Sequence, residues 1–135
     1  MSGLAIADVL GHPQHNGIYR LAPGATLPAG LIHLAGRRLT GKPAMLEAVA
    51  EAFACPDYFG ANWDALEDSL GDLSWLAGPI GLVIEAADLP AAAAPDSWPV
   101  LLDILGDVSR SWRGAGRPFA VFLRGGHDAY PLIAG

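Results

Sequence analysis

Two segments of this chain, PIGLVIEAADL (79–89) and PFAVFLRG (118–125), are apolar almost without interruption. Ile80, Leu82, Val83 and Ile84 leave the first with no polar side, so as a strand it must be covered on both faces. Strands of that kind belong to parallel sheets with helical crossovers, and the intervening sequence supplies the helices. In KPAMLEAVAEAFAC (42–55), Met45, Leu46, Val49 and Phe53 recur at helical spacing, with Pro43 suited to the first turn. Asn62 can cap a second helix running to Leu70, with Gly71 as its stop. WPVLLDILGDVSRSW (98–112) repeats apolar residues at Val100, Leu101, Ile104, Leu105, Val108 and Trp112, the mark of a helix with one buried face. LIHLAG (31–36) reads as a further short strand and PAAAAPDS (90–97) as a loop. A small parallel sheet covered by helices is the expected α/β architecture, in a single domain over residues 1–135.

The first thirty residues are harder to place. Residues 1–16 have no clear period and predict a short helix or a loose arm. GIYRLA (17–22) alternates like a strand, and PGATLPAG (23–30) is turn punctuation. The chain's 135 residues are 52% apolar, ample for one core. A net charge of −6 argues against binding a nucleic-acid backbone, which needs Lys and Arg to displace counterions, and against an anionic membrane surface. Cys55 stands alone, which excludes an internal disulfide framework and a Cys-rich zinc motif. No apolar run is long enough to span a membrane, and MSGLAIADVLG has no basic residue ahead of its apolar stretch, so a cytoplasmic protein is expected.

Charge placement says more than the total. Between Lys42 and Arg110 there is no Lys or Arg, yet twelve of the fourteen acidic residues lie there. Arg20, Arg37, Arg38 and Lys42 precede that stretch, and Arg110, Arg113, Arg117 and Arg124 follow it. Such segregation gives the surface potential a direction, unless the basic ends fold back and neutralise the middle. CPDYFGANWDALEDSLGDLSW (55–75) concentrates the effect, with five carboxylates among aromatic side chains and no basic residue. At about 100° per residue, Leu66 and Leu70 share one side of its helix, with Trp63 close by. Asp64 and Asp68 point the opposite way, one turn apart, and Glu67 and Gly71 border that acidic side. Carboxylates at this spacing repel by a few tenths of a kcal/mol, and a helix built for stability alone would more readily carry Lys or Arg at one of them.

Catalysis finds little support. No His, Lys or Arg stands near the Asp pair in sequence to make it an acid–base couple or a Mg²⁺ site. His12 and His15 could clip a metal but read better as exposed polar residues, and His33 and His127 are isolated. Cys55 before Pro56 reads as a small buried residue rather than a nucleophile. RGGHD (124–128) reads as a turn after a strand, and there is no GxSxG, P-loop or GxGxxG. No enzyme activity, cofactor or metal is expected.

The run PDYFGANWDALEDSL (56–70) resembles the barstar family of intracellular ribonuclease inhibitors. That family's pattern, Pro-x-Tyr-aromatic-Gly-x-Asn-x-Asp-Ala-Leu-x-Asp-x-Leu, is met at every fixed position without a gap. A weaker likeness extends from the strand at 31–36 to FLRG, leaving residues 1–30 and the tail as additions to a core at 31–125. The resemblance implies a three-stranded parallel sheet packed by helices, here with an extra N-terminal strand or arm. It also implies a binding protein, monomeric when free. Its partner would be a basic secreted ribonuclease, barnase-like or another RNA-cleaving toxin, whose phosphate pockets the acidic side chains fill. On matching positions Asp68 would be the central anion and Asp64 a second. Tyr58 would meet the target's catalytic His, Gly60 would permit close backbone approach, and Asn62 would fix the loop. Trp63 and Glu67 stand where the family carries leucine and tryptophan, so the surface around the acids is rearranged. Ser111 falls where the family has an acidic contact on its last long helix, and that contact is not carried over.

The acids also admit a reading from another class, an acidic interaction or regulatory module with this fold and a basic partner that is not a ribonuclease. Pro56, Gly60, Asn62, Leu66 and Leu70 could serve the fold alone as turn, cap and core. Asp64 and Asp68 are not accounted for in that way.

Overall fold

The strands form one parallel sheet with helices on both faces. The structure, a computed structural model, describes residues 4–56, 62–126 and 128–133. Along the chain lie α1 (Ile6–Gly11), β1 (Gly17–Leu21), β2 (Ile32–Ala35), α2 (Lys42–Ala52), α3 (Trp63–Asp72) and β3 (Ile80–Glu85). They are followed by α4 (Asp88–Ala93), α5 (Trp98–Ala115), β4 (Phe119–Arg124) and β5 (Leu132–Ile133).

The sheet has five strands in the order β2-β3-β4-β1-β5, not the three expected for the core. β4 explains the difference: Phe119 to Leu123 are buried throughout, so both of its edges need partners. β3 takes one edge, and β1 takes the other in register from Gly17↔Ala120 to Leu21↔Arg124. The N-terminal strand is therefore internal to the sheet, and the tail adds β5 beside it.

Side chains alternate between two cores. Leu34, Ile80, Leu82, Ile84, Phe119, Val121, Leu123 and Ile18 point to the face covered by α2, α3 and α5. Val83, Ala120, Phe122, Tyr19 and Leu21 point to the other, where Ile6 and Val9 of α1 cover them. Gly81 lets that cover close, because a Cβ there would sit 2.6 Å from a Leu31 methyl and 3.2 Å from one of Leu10.

Two local expectations are corrected. The stretch read as a loop at 90–97 begins inside α4, where Pro90 lies in the first turn and needs no backbone donor, and alanines sustain the helix. α3 also runs through Gly71 to Asp72 and ends at Leu73, which adopts the left-handed conformation (φ 40°) usually left to glycine. Leu73 is wholly buried, so side-chain packing sets the end of this helix.

Asn16 fastens the N-terminal segment. Its amide nitrogen donates to the carbonyls of Ser109 (3.1 Å) and Arg117 (2.9 Å), and its oxygen accepts from Phe119 N–H at 2.9 Å. Asn16→Ala would strand these buried backbone groups and is expected to cost about 3 kcal/mol in urea unfolding at unchanged m-value. A change below about 0.5 kcal/mol, the range of ordinary surface substitutions, would show that the segment is not held here.

Candidate functional site

α3 starts as its sequence dictates. Asn62 is extended, and its side-chain oxygen accepts from Ala65 N–H at 2.7 Å, an N-cap. Leu66 and Leu70 are buried, while Asp64, Asp68 and Asp72 are exposed and Glu67 is half-buried. Asp64 also lies in the first turn, where the helix dipole favours negative charge. Trp63 is half-buried against the core, with the Lys42 ammonium 5.8 Å from its ring centre. Tyr58 and Gly60 lie outside the described residues.

The basic ends of the chain do fold back, but onto other acids. Arg38 pairs with Glu51 at 2.9 Å, Arg124 with Glu85 at 2.9 Å, and Arg110 with Asp107. Among the described residues, Asp64, Glu67, Asp68 and Asp72 enter no ion pair. The described residues therefore bring no cation within ion-pair distance of the acids of α3, and the Lys42 ammonium meets that helix only at the Trp63 ring.

Packing of α3 on α5 places the Asp107 carboxylate, with its Arg110 partner, beside the acids of α3. A groove of about 340 Å³ between the two helices is lined by Glu67, Asp68, Gly71, Asp107, Val108 and Ser111. Asp107 was not singled out from sequence; its spacing from Val108 and Ser111 places it at the edge of the buried face, but not against α3. Gly71, though inside a helix, has nothing within 4 Å of where a Cβ would stand, which keeps the groove open. Ser111 does line this groove, with a hydroxyl where a carboxylate was looked for.

The far end of α3 is held rigidly. Trp112 Nε1 donates to the Leu70 carbonyl at 2.9 Å. Arg117 stacks over the Trp112 ring, 5.0 Å from its centre, and donates to the carbonyls of Leu73, Leu76 and Gly78 at 3.1, 2.5 and 2.9 Å. One guanidinium thus satisfies three carbonyls in the turn after α3, which a lysine could not span. In the same turn, Trp75 Nε1 donates to the Phe53 carbonyl, just past the end of α2, at 2.9 Å. The C-terminal end of α3 is thus tied to α5 and to the residues that follow α2 and α5.

Other chemistry-bearing residues do not converge. The His12 and His15 rings meet edge to face, 6.0 Å apart. Among the described residues no three His, Cys, Asp or Glu side chains gather in a metal-binding group. Cys55 is half-buried and its thiol is pushed up by burial, opposite to the activation a nucleophile needs. Among the described residues no helix is long and apolar enough to cross a membrane.

Fold and surface together define a parallel α/β protein that presents an unpaired acidic helix on a rigid support. The chain matches the family described as Barstar (barnase inhibitor) over residues 30–124, and it belongs to that family. No curated protein matches it. The matched span holds β2, β3, β4 and every helix after α1, whereas β1 and β5 lie outside it.

Proposed function

We propose that this protein, acting in the cytoplasm, inhibits a basic secreted ribonuclease by seating α3 and the loop before it in the enzyme's cationic active site. The observation that carries this is the gathering of unpaired acids on one helix: Asp64, Glu67, Asp68 and Asp72 of α3 all stand without an ion-pair partner among the described residues, whereas Glu51, Glu85 and Asp107 have arginine partners. A surface left in that state gains most from a partner that supplies the missing cations. On this reading Asp68 is the central anion and Asp64 the second, with Glu67 beside them. Tyr58 and Gly60 shape the contact from the loop, and Asn62 and Trp63 hold the loop–helix junction. The protein would serve as an immunity factor against an RNA-cleaving toxin, monomeric when free and without hydrolytic activity of its own.

A second reading has one observation in its favour. Glu47, Asp88, Asp96 and Asp103 are exposed and enter no ion pair among the described residues, so unpaired negative charge extends beyond the motif, as on a diffuse mimic of a polyanion. The two separate at Tyr58. In a titration of RNA cleavage by basic secreted ribonucleases, stoichiometric inhibition that Tyr58→Ala weakens by tenfold or more is expected. Affinity insensitive to Tyr58→Ala, yet falling equally with removal of any surface acid, would favour the polyanion mimic instead.

A further inference from the structure

The additions on either side of the family core build a second cavity. A cleft of about 400 Å³ is lined by Asn16, Gly17 and Ile18 from the N-terminal segment, and by Tyr130 from the tail. Its remaining wall is the face of α5 that carries Leu102, Asp103, Gly106, Ser109, Arg110 and Arg113. It is distinct from the acidic groove, which α5 lines through Asp107, Val108 and Ser111. Both non-core walls are fixed. Asn16 is buried and fully bonded, and the tail is tied by Pro131 and Ile133 carbonyls accepting from Arg20 and Ala22 N–H at 2.8 Å. Trp98 Nε1 also donates to Asp128 Oδ2 at 3.3 Å.

The polar groups divide along the cleft. Asp103 and Arg110 stand two helical turns apart, roughly 10 Å along the axis, and Arg113 lies one further turn on. Arg110 meets Asp107 with one nitrogen and keeps other donors free, and among the described residues the Arg113 side chain makes no hydrogen bond or ion pair. Two guanidinium groups one turn apart form a clamp for phosphate or carboxylate oxygens. At the other end Asp103 acts on Tyr130, where burial and the carboxylates of Asp128 and Asp103 hold the phenol above its usual range. A carboxylate acceptor beside an aromatic ring suits a flat heterocycle with N–H donors. Between the ends the floor is Ile18, Leu102 and Gly106. Glycine inside α5 costs about 1 kcal/mol relative to alanine, and its missing side chain leaves the cleft deep.

We propose that this cleft binds a nucleoside monophosphate, with the phosphate on Arg110 and Arg113 and the edge of the base toward Asp103 and Tyr130. A free phosphate, or a ligand as short as an amino acid, would not reach both ends. A concave site of this volume takes a compact ligand in preference to a flat helix face of a second copy. The net charge of −6 opposes any anion, so affinity rests on these short-range contacts. The site does not depend on the ribonuclease reading.

The experiment is an NMR titration of the full chain with GMP, CMP and inorganic phosphate. Both nucleotides are expected to shift the Gly17 and Gly106 amides and to saturate at millimolar concentration or below, with phosphate at least tenfold weaker. Arg113→Gln, at an exposed position, should weaken nucleotides and phosphate alike by about tenfold. Asp103→Asn should weaken the nucleotides and leave phosphate unchanged. Absence of shifts at these amides would overturn the proposal, as would equal affinity for nucleotide and phosphate. It would fail as well if the same amides responded only to protein concentration, which would mark a contact between copies.

Discussion

Alanine at Asp68 is expected to weaken the complex with a basic ribonuclease by about 2–4 kcal/mol, within the hot-spot range of protein interfaces, a range that already includes this family's own ribonuclease complex. Asp68 is exposed, makes no ion pair among the described residues, and lines a groove beside the end of α3 that Trp112 and Arg117 hold. Its helix backbone is therefore set before binding, and only a short side chain is left to order. Truncation would leave the enzyme's Arg and Lys side chains buried against nothing, and the dissociation rate would rise roughly 30- to 1,000-fold. Asp103 is the control, since it carries a similar charge on the face of α5 that lines the other cleft. Asp103→Ala should change only the association rate and its salt dependence. Stopped-flow kinetics of both variants at two salt concentrations make the comparison. Equal, small effects would mean that α3 is an ordinary solvated face, and the inhibitor reading would fail.

The second large effect concerns the fold itself. A chain lacking residues 1–30 is expected not to fold as a monomer. Ile6, Val9, Tyr19 and Leu21 would be lost from the second core, exposing Val83, Ala120 and Phe122. Ile18 would be lost from the first core, and the inner edge of β4 would be open. At about 1.5–3 kcal/mol for each large apolar side chain, the lost burial approaches the 5–15 kcal/mol net stability of an ordinary domain. An open, apolar edge strand is in addition a template for aggregation. Circular dichroism, thermal unfolding and size-exclusion chromatography of the truncated and full chains provide the test. A truncated chain with an unchanged melting temperature would show that the segment is an arm after all.

The parts legible in the sequence were those that depend on neighbours along the chain. Ile80 to Ile84 and Phe119 to Leu123 announce strands buried on both faces, because no polar residue interrupts them. Asn62 announces a helix start because its side chain reaches an N–H three residues on, and Asp64 and Asp68 are outward once Leu66 and Leu70 are inward. The places that misled were those where a distant residue decides. Gly71 carries the sign of a helix stop, yet burial of Leu73 and the reach of Arg117 carry the helix past it. Asp107 is unremarkable on its own helix and enters the acidic groove only because α3 packs there.

By itself, then, the sequence determined the α/β class, the helices α2, α3 and α5, the acidic face of α3 and the motif that marks its family. Only the tertiary structure decided that β1 lies between β4 and β5, that the acids of α3 find no ion-pair partner among the described residues while Glu51 and Glu85 do, and that two separate cavities flank α5. The reason is range. Period and capping act over three or four residues, whereas the Gly17↔Ala120 pairing and the bond from Arg117 to Leu73 join parts of the chain brought together only when the core closes.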